Sequence, residues 1–311
     1  MSETAKGFVM MSGGLDSQLA VKVLQRAGAH VEAVCFESPF FNANQARKAA
    51  EALEIKLHVV DFTDEILSLL VDPPHGFGGA MNPCIDCHAA MIRRAGAMME
   101  ENGFDFVATG EVKGQRPMSQ NAQALVTVEK TSGLKGRLIR PLSALFLEPT
   151  IPETEGKLDR SRLLDISGRS RERQIALAAE FGIVDYPSPA GGCKLTEEAY
   201  SRRLEDLMKH EGFSSRTLLK LLSVGRRFRT ENGTSVILGR NGEENALLSQ
   251  RALEIQNSVL ITPSKSQIGP TALVPCAISD GEKNIVQELV DAYVKGTGEA
   301  ERLRFRKWQI L

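Results

Sequence analysis

The chain of 311 residues is 42% hydrophobic and 25% charged, with a net charge of −1; this is the balance of about two soluble globular domains with ample cores. No apolar run approaches the ~18 residues of a membrane span, and five cysteines, an odd number, do not make a secreted disulfide framework. The charge is uneven: residues 194–311 carry 18 Lys and Arg against 15 Asp and Glu, residues 1–193 carry 20 against 24, so the C-terminal part is the better candidate for a polyanion.

In chain order, the opening "MSETAKGFVM" has no basic region followed by an apolar core. No signal peptide is therefore expected, and the cytoplasm, where thiols stay reduced, is the default compartment. "GFVMM" (7–11) is an apolar strand-like run, and residues 17–29 place Leu19, Val21, Val23 and Leu24 at mostly helical spacing. Strands are expected at 30–38, 55–62 and 104–111, with helices at 44–53 and 87–103 between them. This alternation predicts an α/β fold: a parallel sheet with helices on both faces, whose ligands bind at the carboxyl ends of the strands. Residues 163–193 read as a helix followed by a Pro/Gly-rich loop, and 195–212 as a polar amphipathic helix. Residues 217–241 hold a basic knot, an Asn232-Gly233 hairpin signal and the strand "TSVILG". "RLRFRKWQIL" reads as an edge strand with Arg302, Arg304 and Arg306 on one face and Leu303 and Phe305 on the other. The expected organisation is a domain at 1–193 and a smaller α+β domain at 194–311, without internal repeats.

The first strand ends in Ser12-Gly13-Gly14-Leu15-Asp16-Ser17 and a helix follows. A Gly-rich turn there exposes backbone N–H groups, and the helix dipole adds partial positive charge, which together suit a phosphate. No lysine follows the glycines as a Walker loop requires, and the spacing is not that of dinucleotide folds. The alternative is an ordinary helix start capped by Asp16 or Ser17. The stretch resembles the pyrophosphate-binding loop of the ATP pyrophosphatases, the family that includes the tRNA thiolases, GMP synthetase and NAD synthetase. The resemblance implies binding of ATP with Mg²⁺, cleavage between the α- and β-phosphates, and adenylation of a carbonyl oxygen. Ser12, Gly13, Gly14 and Ser17 would then donate to the leaving pyrophosphate, and Asp16 would orient the loop or hold Mg²⁺.

Cys84 and Cys87, in "MNPCIDCHAAM", share one face of a first helical turn, and Cys193 follows "YPSPAGG". Adenylation supplies no sulfur, whereas thiolates near an activated base do. The segment resembles that of the tRNA 2-thiouridylases, with Cys87 and Cys193 at that family's two catalytic cysteines. Cys84 stands at its aspartate position and His88 replaces its asparagine. Three such cysteines are similar to the iron–sulfur branch of the thiolases, which implies a 4Fe–4S cluster with three cysteine ligands and an iron open to sulfide. Persulfide chemistry through Cys87 and Cys193, a zinc site with His88, and plain reduced cysteines stay open as alternatives. Cys35, in an apolar strand, and Cys276 read as structural.

Gly110 matches the Ala-Thr-Gly that contacts nucleotide in the thiouridylases, and Gln115, Arg116 and Ser119 lie where 4-thiouridine synthetases carry a similar segment. These are candidates for the α-phosphate or a ribose, against a solvated turn. Arg169, Arg171 and Arg173 precede or open a helix, where they oppose its dipole, so RNA phosphates are candidate partners for them. Residues 217–275 resemble the small RNA-binding domain of the NFACT ribosome-associated proteins, through Gly225-Arg226-Arg227-Phe228 and Gly239-Arg240-Asn241 followed by Glu244-Asn245. Arg226, Arg227, Arg229 and Arg240 would meet phosphates, and Phe228 would stack on a base or lie in the core. The function expected is ATP-dependent thiolation of a tRNA uridine, with tRNA and a sulfur donor as partners, no membrane, and a homodimer admitted. A small-molecule ATP pyrophosphatase and a non-catalytic RNA-binding protein are the other two readings.

Overall fold

A computed structural model describes residues 4–117, 119–188, 193–264 and 267–311; the Gly-rich stretch expected just before Cys193 falls at 189–192, outside the described residues. The chain divides into two compact units, Met1–Lys194 and Leu195–Leu311.

In the first unit, β1 (Lys6–Met10), β2 (His30–Glu37), β3 (Leu57–Asp61), β4 (Phe106–Thr109) and β5 (Leu138–Ile139) form an all-parallel sheet in the order β3-β2-β1-β4-β5. The connections run through α1 (Leu15–Arg26), α2 (Asn44–Ala52), α3 (Thr63–Val71), α4 (Cys84–Glu101), α5 (Ala122–Ser132), α6 (Ile151–Thr154) and α7 (Glu172–Glu180). Successive side chains of a strand point to opposite faces. Phe8 and Val9 of β1 are both fully buried, so both faces of the sheet are covered. Phe8 packs on the rings of His58 and Phe104, 5.2 and 4.7 Å between centroids; Val9 joins Leu15, Leu19 and Val23 of α1 in the opposite core. The strand order reverses at β1, which pairs with β2 on one side and β4 on the other. The crevice beyond the carboxyl ends of β1 and β4 is therefore the place where such a sheet takes a ligand.

The second unit is an antiparallel sheet of β6 (Arg226–Arg229), β7 (Ser235–Leu238), β8 (Val259–Ile261), β9 (Ala272–Val274) and β10 (Gln309–Ile310), in the order β10-β6-β7-β9-β8. Around it lie α8 (Glu198–His210), α9 (Arg216–Lys220), α10 (Gly242–Ala252), α11 (Asp280–Ala292) and α12 (Glu299–Leu303). The Asn232-Gly233 signal does turn a hairpin between β6 and β7: Gly233 has φ +84° and the Thr230 N–H bonds the Thr234 carbonyl at 3.0 Å. The C-terminal segment departs from expectation. Only Gln309–Ile310 pair at the sheet edge, because residues 299–308 coil into α12 and a 3₁₀ turn. This places Phe305 in the core beside Trp308 and leaves Leu303 exposed. Arg302 and Arg304 stack on the rings of Tyr293 and Phe305. Cys276 is exposed rather than structural, whereas Cys35 is buried.

Candidate functional site

The turn after β1 lies in that crevice. Gly14 is the N-cap of α1 and no side chain caps it, so neither Asp16 nor Ser17 plays the capping part that the alternative reading gave them. The first-turn amides keep the anion-binding character of an uncapped helix start. Gly13 has φ +81°, and a Cβ there would sit 2.3 Å from the Gln45 carbonyl carbon; only glycine fits. The Ser17 hydroxyl donates to the Gly14 carbonyl at 2.8 Å, and the Gly14 N–H donates to Ser12 Oγ at 3.3 Å. Gly110, just past β4, lies against the same turn: its Cβ would fall 2.6 Å from the Asp16 backbone. The buried Gln18 amide ties the turn down by donating to the carbonyls of Gly13 and Asp185, each at 3.0 Å.

Asp16 Oδ2 accepts from Gln115 Nε2 at 2.8 Å, while Asp16 Oδ1 is buried with no partner. Burial pushes the Asp16 carboxyl up from its ordinary range, against the Gln115 bond and the nearby charges of Arg171 and Arg116. A buried carboxylate with one oxygen open has the hard-donor chemistry of a Mg²⁺ ligand. Arg116 is exposed and Ser119 buried.

Cys84 opens α4 and accepts a 3.1 Å bond from Asn82 Nδ2; Cys87 lies one turn on and is buried. Cys84 and Cys87 thus share the first turn of the helix as their spacing predicts, with Pro83 at the N-cap position ahead of the run at 87–103. Burial first, then the charges of Cys193, Cys84 and Asp86, push the Cys87 thiol well above its usual range. The three thiols therefore share one electrostatic neighbourhood, and a thiol so placed stays protonated until a cation or metal centre draws the proton off. Cys193 is anchored by the next residue, whose N–H bonds the Phe40 carbonyl at 3.1 Å, just beyond β2. Among the described residues no three His, Cys, Asp or Glu side chains converge on one metal-sized point.

Two pairs beside the cysteines escape sequence reading. Asp86, only 2% exposed, accepts from the His75 N–H at 2.9 Å and lies 2.6 Å from His75 Nδ1, which pins the loop before Cys84 to α4. The buried Glu111 accepts from Arg140 Nε at 3.0 Å and from Thr109 Oγ1 at 3.1 Å, and its other oxygen lies 3.4 Å from His88 Nδ1. The sequence offered one signal for the first pair, the acid between two cysteines. The second joins positions 29 residues apart and has no local signature. Since His88 follows Cys87 and Glu111 follows Gly110, the 3.4 Å approach of His88 to Glu111 joins the cysteine turn to the glycine turn.

Burial alone would push the Glu111 carboxyl up; His88 and Arg140 reverse this and hold it at about 2. A carboxyl held below its ordinary value contributes stability that is complete above the usual carboxylate range and is lost as pH falls toward about 2. Glu111→Gln is thus expected to cost roughly 3 kcal/mol at pH 7, since it leaves the buried Arg140 partly uncompensated. In urea unfolding the gap to wild type should narrow as pH drops below about 4.5. A gap that stayed constant on acidification would show that charge is not its source.

The arginines expected at RNA have separate fates. Arg169 is exposed, and Arg171 is half-buried beside Asp16. Arg226 is half-buried over the Tyr293 ring, and Arg240 is exposed but held by Glu244. Arg227 is a correction: it is buried, donates to the Leu218 carbonyl, and is brought down to about 10 by burial and by Arg203, so no phosphate reaches it. Arg229 is locked between Asp206 and Glu211, with bonds of 3.0 and 2.8 Å. Phe228 lies in the core.

Residues 3–148 match the family model described as "Thiamine biosynthesis protein (ThiI)". A "Probable tRNA sulfurtransferase" of Thermoanaerobacter sp. (strain X514) is 30% identical over 151 residues, 46% of this chain and 38% of the relative. A "tRNA-specific 2-thiouridylase MnmA" of Sulfurimonas denitrificans is 35% identical over 113 residues, 32% of each chain. A crystal structure of a 4-thiouridine synthetase–RNA complex with bound ATP has 22% identity and a TM-score of 0.38, covering 58% of this chain and 52% of that one. The chain spans about two-fifths of the length of the first of these relatives. The first unit is an α/β domain with a parallel sheet and its glycine turn at the switch strand. Within that class, its similarities are to the tRNA thiolases.

Proposed function

We propose that this chain is an ATP-dependent tRNA sulfurtransferase that adenylates a uridine carbonyl oxygen and replaces that oxygen with sulfur. The observation that carries the reading is one crevice holding both halves of the chemistry: an uncapped glycine turn touching Gly110, and three neighbouring thiols linked to it through His88 and Glu111. The turn's amides bind the pyrophosphate of ATP and carry charge away as it leaves. Asp16, whose Oδ1 is buried without a partner, would hold Mg²⁺. Cys84, Cys87 and Cys193 would hold a 4Fe–4S cluster, which supplies an iron able to bind the sulfide that is transferred. The thiols are the donor type that group takes, and they lie buried or half-buried on two anchored segments, although among the described residues no three such side chains converge on one metal-sized point. The second unit, 195–311, serves as the RNA-binding domain, with Arg226 and Arg240 at its surface.

The test is the nucleoside content of tRNA incubated with purified protein, ATP and a sulfide source. AMP formation together with a uridine gaining a sulfur in place of oxygen is expected; AMP formation on a small molecule without any change in tRNA would overturn the reading. Surface cations should carry tRNA affinity. In the full chain, Arg169→Ala with Arg226→Ala is expected to weaken tRNA binding and to flatten its salt dependence by roughly one phosphate contact per residue. The melting temperature should stay unchanged. An unaltered salt slope would exclude both side chains from the RNA contact.

A further inference from the structure

The phosphate turn contains no cation, since no lysine follows Gly13 and Gly14, yet a triphosphate carries several negative charges. The structure offers a source on another element. Arg171 immediately precedes α7 and Gln174 lies in that helix's first turn, so the two share one face at a spacing of three residues. Gln174 is fully buried, and its Nε2 donates to Gln115 Oε1 at 3.3 Å; Gln115 Nε2 in turn donates to Asp16 Oδ2 at 2.8 Å. Each amide in this chain is fixed in orientation by the next. Three polar atoms around it are buried without partners: Asp16 Oδ1, Gln174 Oε1 and Arg171 Nε. Buried polar groups are normally satisfied, so three orphans at one nexus mark a place built for something with both donors and acceptors.

The neighbouring arginines sharpen the contrast. Arg173, two residues on, is exposed and paired with Asp165 at 2.6 Å, and Arg169 is exposed. Arg171 is drawn inward, no carboxylate pairs with it among the described residues, and its charge bears on Asp16 without bonding to it. A cation at a helix start also opposes the helix dipole.

We propose that Arg171 and Gln174 belong to the nucleotide site: Arg171 is the cation that meets the phosphates of ATP, and Gln174 is a positioning residue that holds Asp16 through Gln115. The proposal rests on the reading of the turn as an ATP site, and it moves Arg171 from RNA to nucleotide. It also explains why the turn has no lysine, because the charge arrives from the opposite wall of the crevice.

The test measures equilibrium binding of ATP, and separately of inorganic pyrophosphate, to the full chain with Mg²⁺ by calorimetry, alongside tRNA binding without ATP. Arg171→Gln is expected to lose about tenfold or more in affinity for both anions, as a charge-assisted bond requires, and to keep tRNA affinity within about twofold. Arg173→Gln should change neither. For the relay, Gln115→Leu and Gln174→Leu should each lower kcat for AMP formation about tenfold or more with KM for ATP nearly constant. The double variant should be no worse than the worse single one, since coupled residues are non-additive. Gln174→Asn, which keeps the amide but shortens its reach, replaces the leucine variant should that fail to fold. Arg171→Gln binding ATP like wild type but losing tRNA would return the residue to RNA, and additive effects at Gln115 and Gln174 would break the relay. Wild-type protein binding neither anion would instead overturn the nucleotide reading itself.

Discussion

Replacing Ser12 and Asp16 together by alanine is expected to lower conversion of ATP to AMP by at least about 1,000-fold, while leaving the melting temperature within a few degrees of wild type. The size of the first effect follows from what the turn does. In the proposed reaction its amides and hydroxyls would face the charge that develops on the leaving pyrophosphate, and removing even one such donor costs about 100- to 1,000-fold. Asp16 adds its open, buried oxygen, the donor proposed for Mg²⁺. The smallness of the second effect follows from the same burial. Burial pushes the Asp16 carboxyl up, so its ionised form is retained at a cost to folding, and alanine relieves that cost while losing one bond from Gln115. The glycines that shape the turn, Gly13 and Gly14, are untouched. AMP formation surviving in the double variant, measured by separating nucleotides after single turnover, would remove the pyrophosphatase reading; a collapse of the melting temperature would show that these side chains hold the fold.

Much of the first unit is legible in the chain because its parallel strands are continuous apolar runs bounded by turns, as at 7–11 and 30–38, where local composition and tertiary role agree. The glycine turn is legible for a related reason: its glycines are needed where they stand, Gly13 by its positive φ and its contact with Gln45. What escapes is non-local. No spacing in the sequence places Gln174 behind Gln115, or Arg140 against Glu111, because those bonds span 59 and 29 residues and exist only once the sheet has assembled. The helix α3 escapes for a milder reason, lying between stronger signals without a clear apolar period of its own, whereas a helix beginning after 106–121 is legible and is α5. In the second unit, alternation misleads: "RLRFRKW" alternates basic and apolar residues as an edge strand does, yet the core takes Phe305 from a helical turn and the arginine stems cover aromatic rings. The same logic separates the arginines of "GRRFR". Charge alone suggests a phosphate contact for each, but strand geometry turns Arg227 inward and hands Arg229 to Asp206 and Glu211.

The cysteines carry the other large effect. Replacing Cys84, Cys87 or Cys193 singly by alanine is expected to abolish thiolation of tRNA, and in protein reconstituted without oxygen to lose iron from a wild-type content of about four per chain, the number in one 4Fe–4S cluster. Cys35→Ala and Cys276→Ala should lose neither, since Cys35 lies in an apolar strand and Cys276 is exposed in the other unit. The three-way requirement distinguishes a cluster from a persulfide relay. A relay through Cys87 and Cys193 needs one thiolate to accept sulfur and one to resolve the intermediate, and it leaves Cys84 without a task. The geometry gives Cys84 a setting of its own, at the first position of α4 with the Asn82 amide 3.1 Å from its sulfur. It also keeps Cys87 buried among negative neighbours, where a bare thiol is a poor nucleophile and a metal-bound thiolate is favoured. Because the proposal puts ATP cleavage at the glycine turn and not at the thiols, AMP formation should survive in the three cysteine variants even as thiolation stops, which separates loss of sulfur chemistry from loss of fold. Full thiolation by iron-free Cys84→Ala protein supplied with a persulfide donor would reject the cluster and leave Cys87 and Cys193 as the working pair.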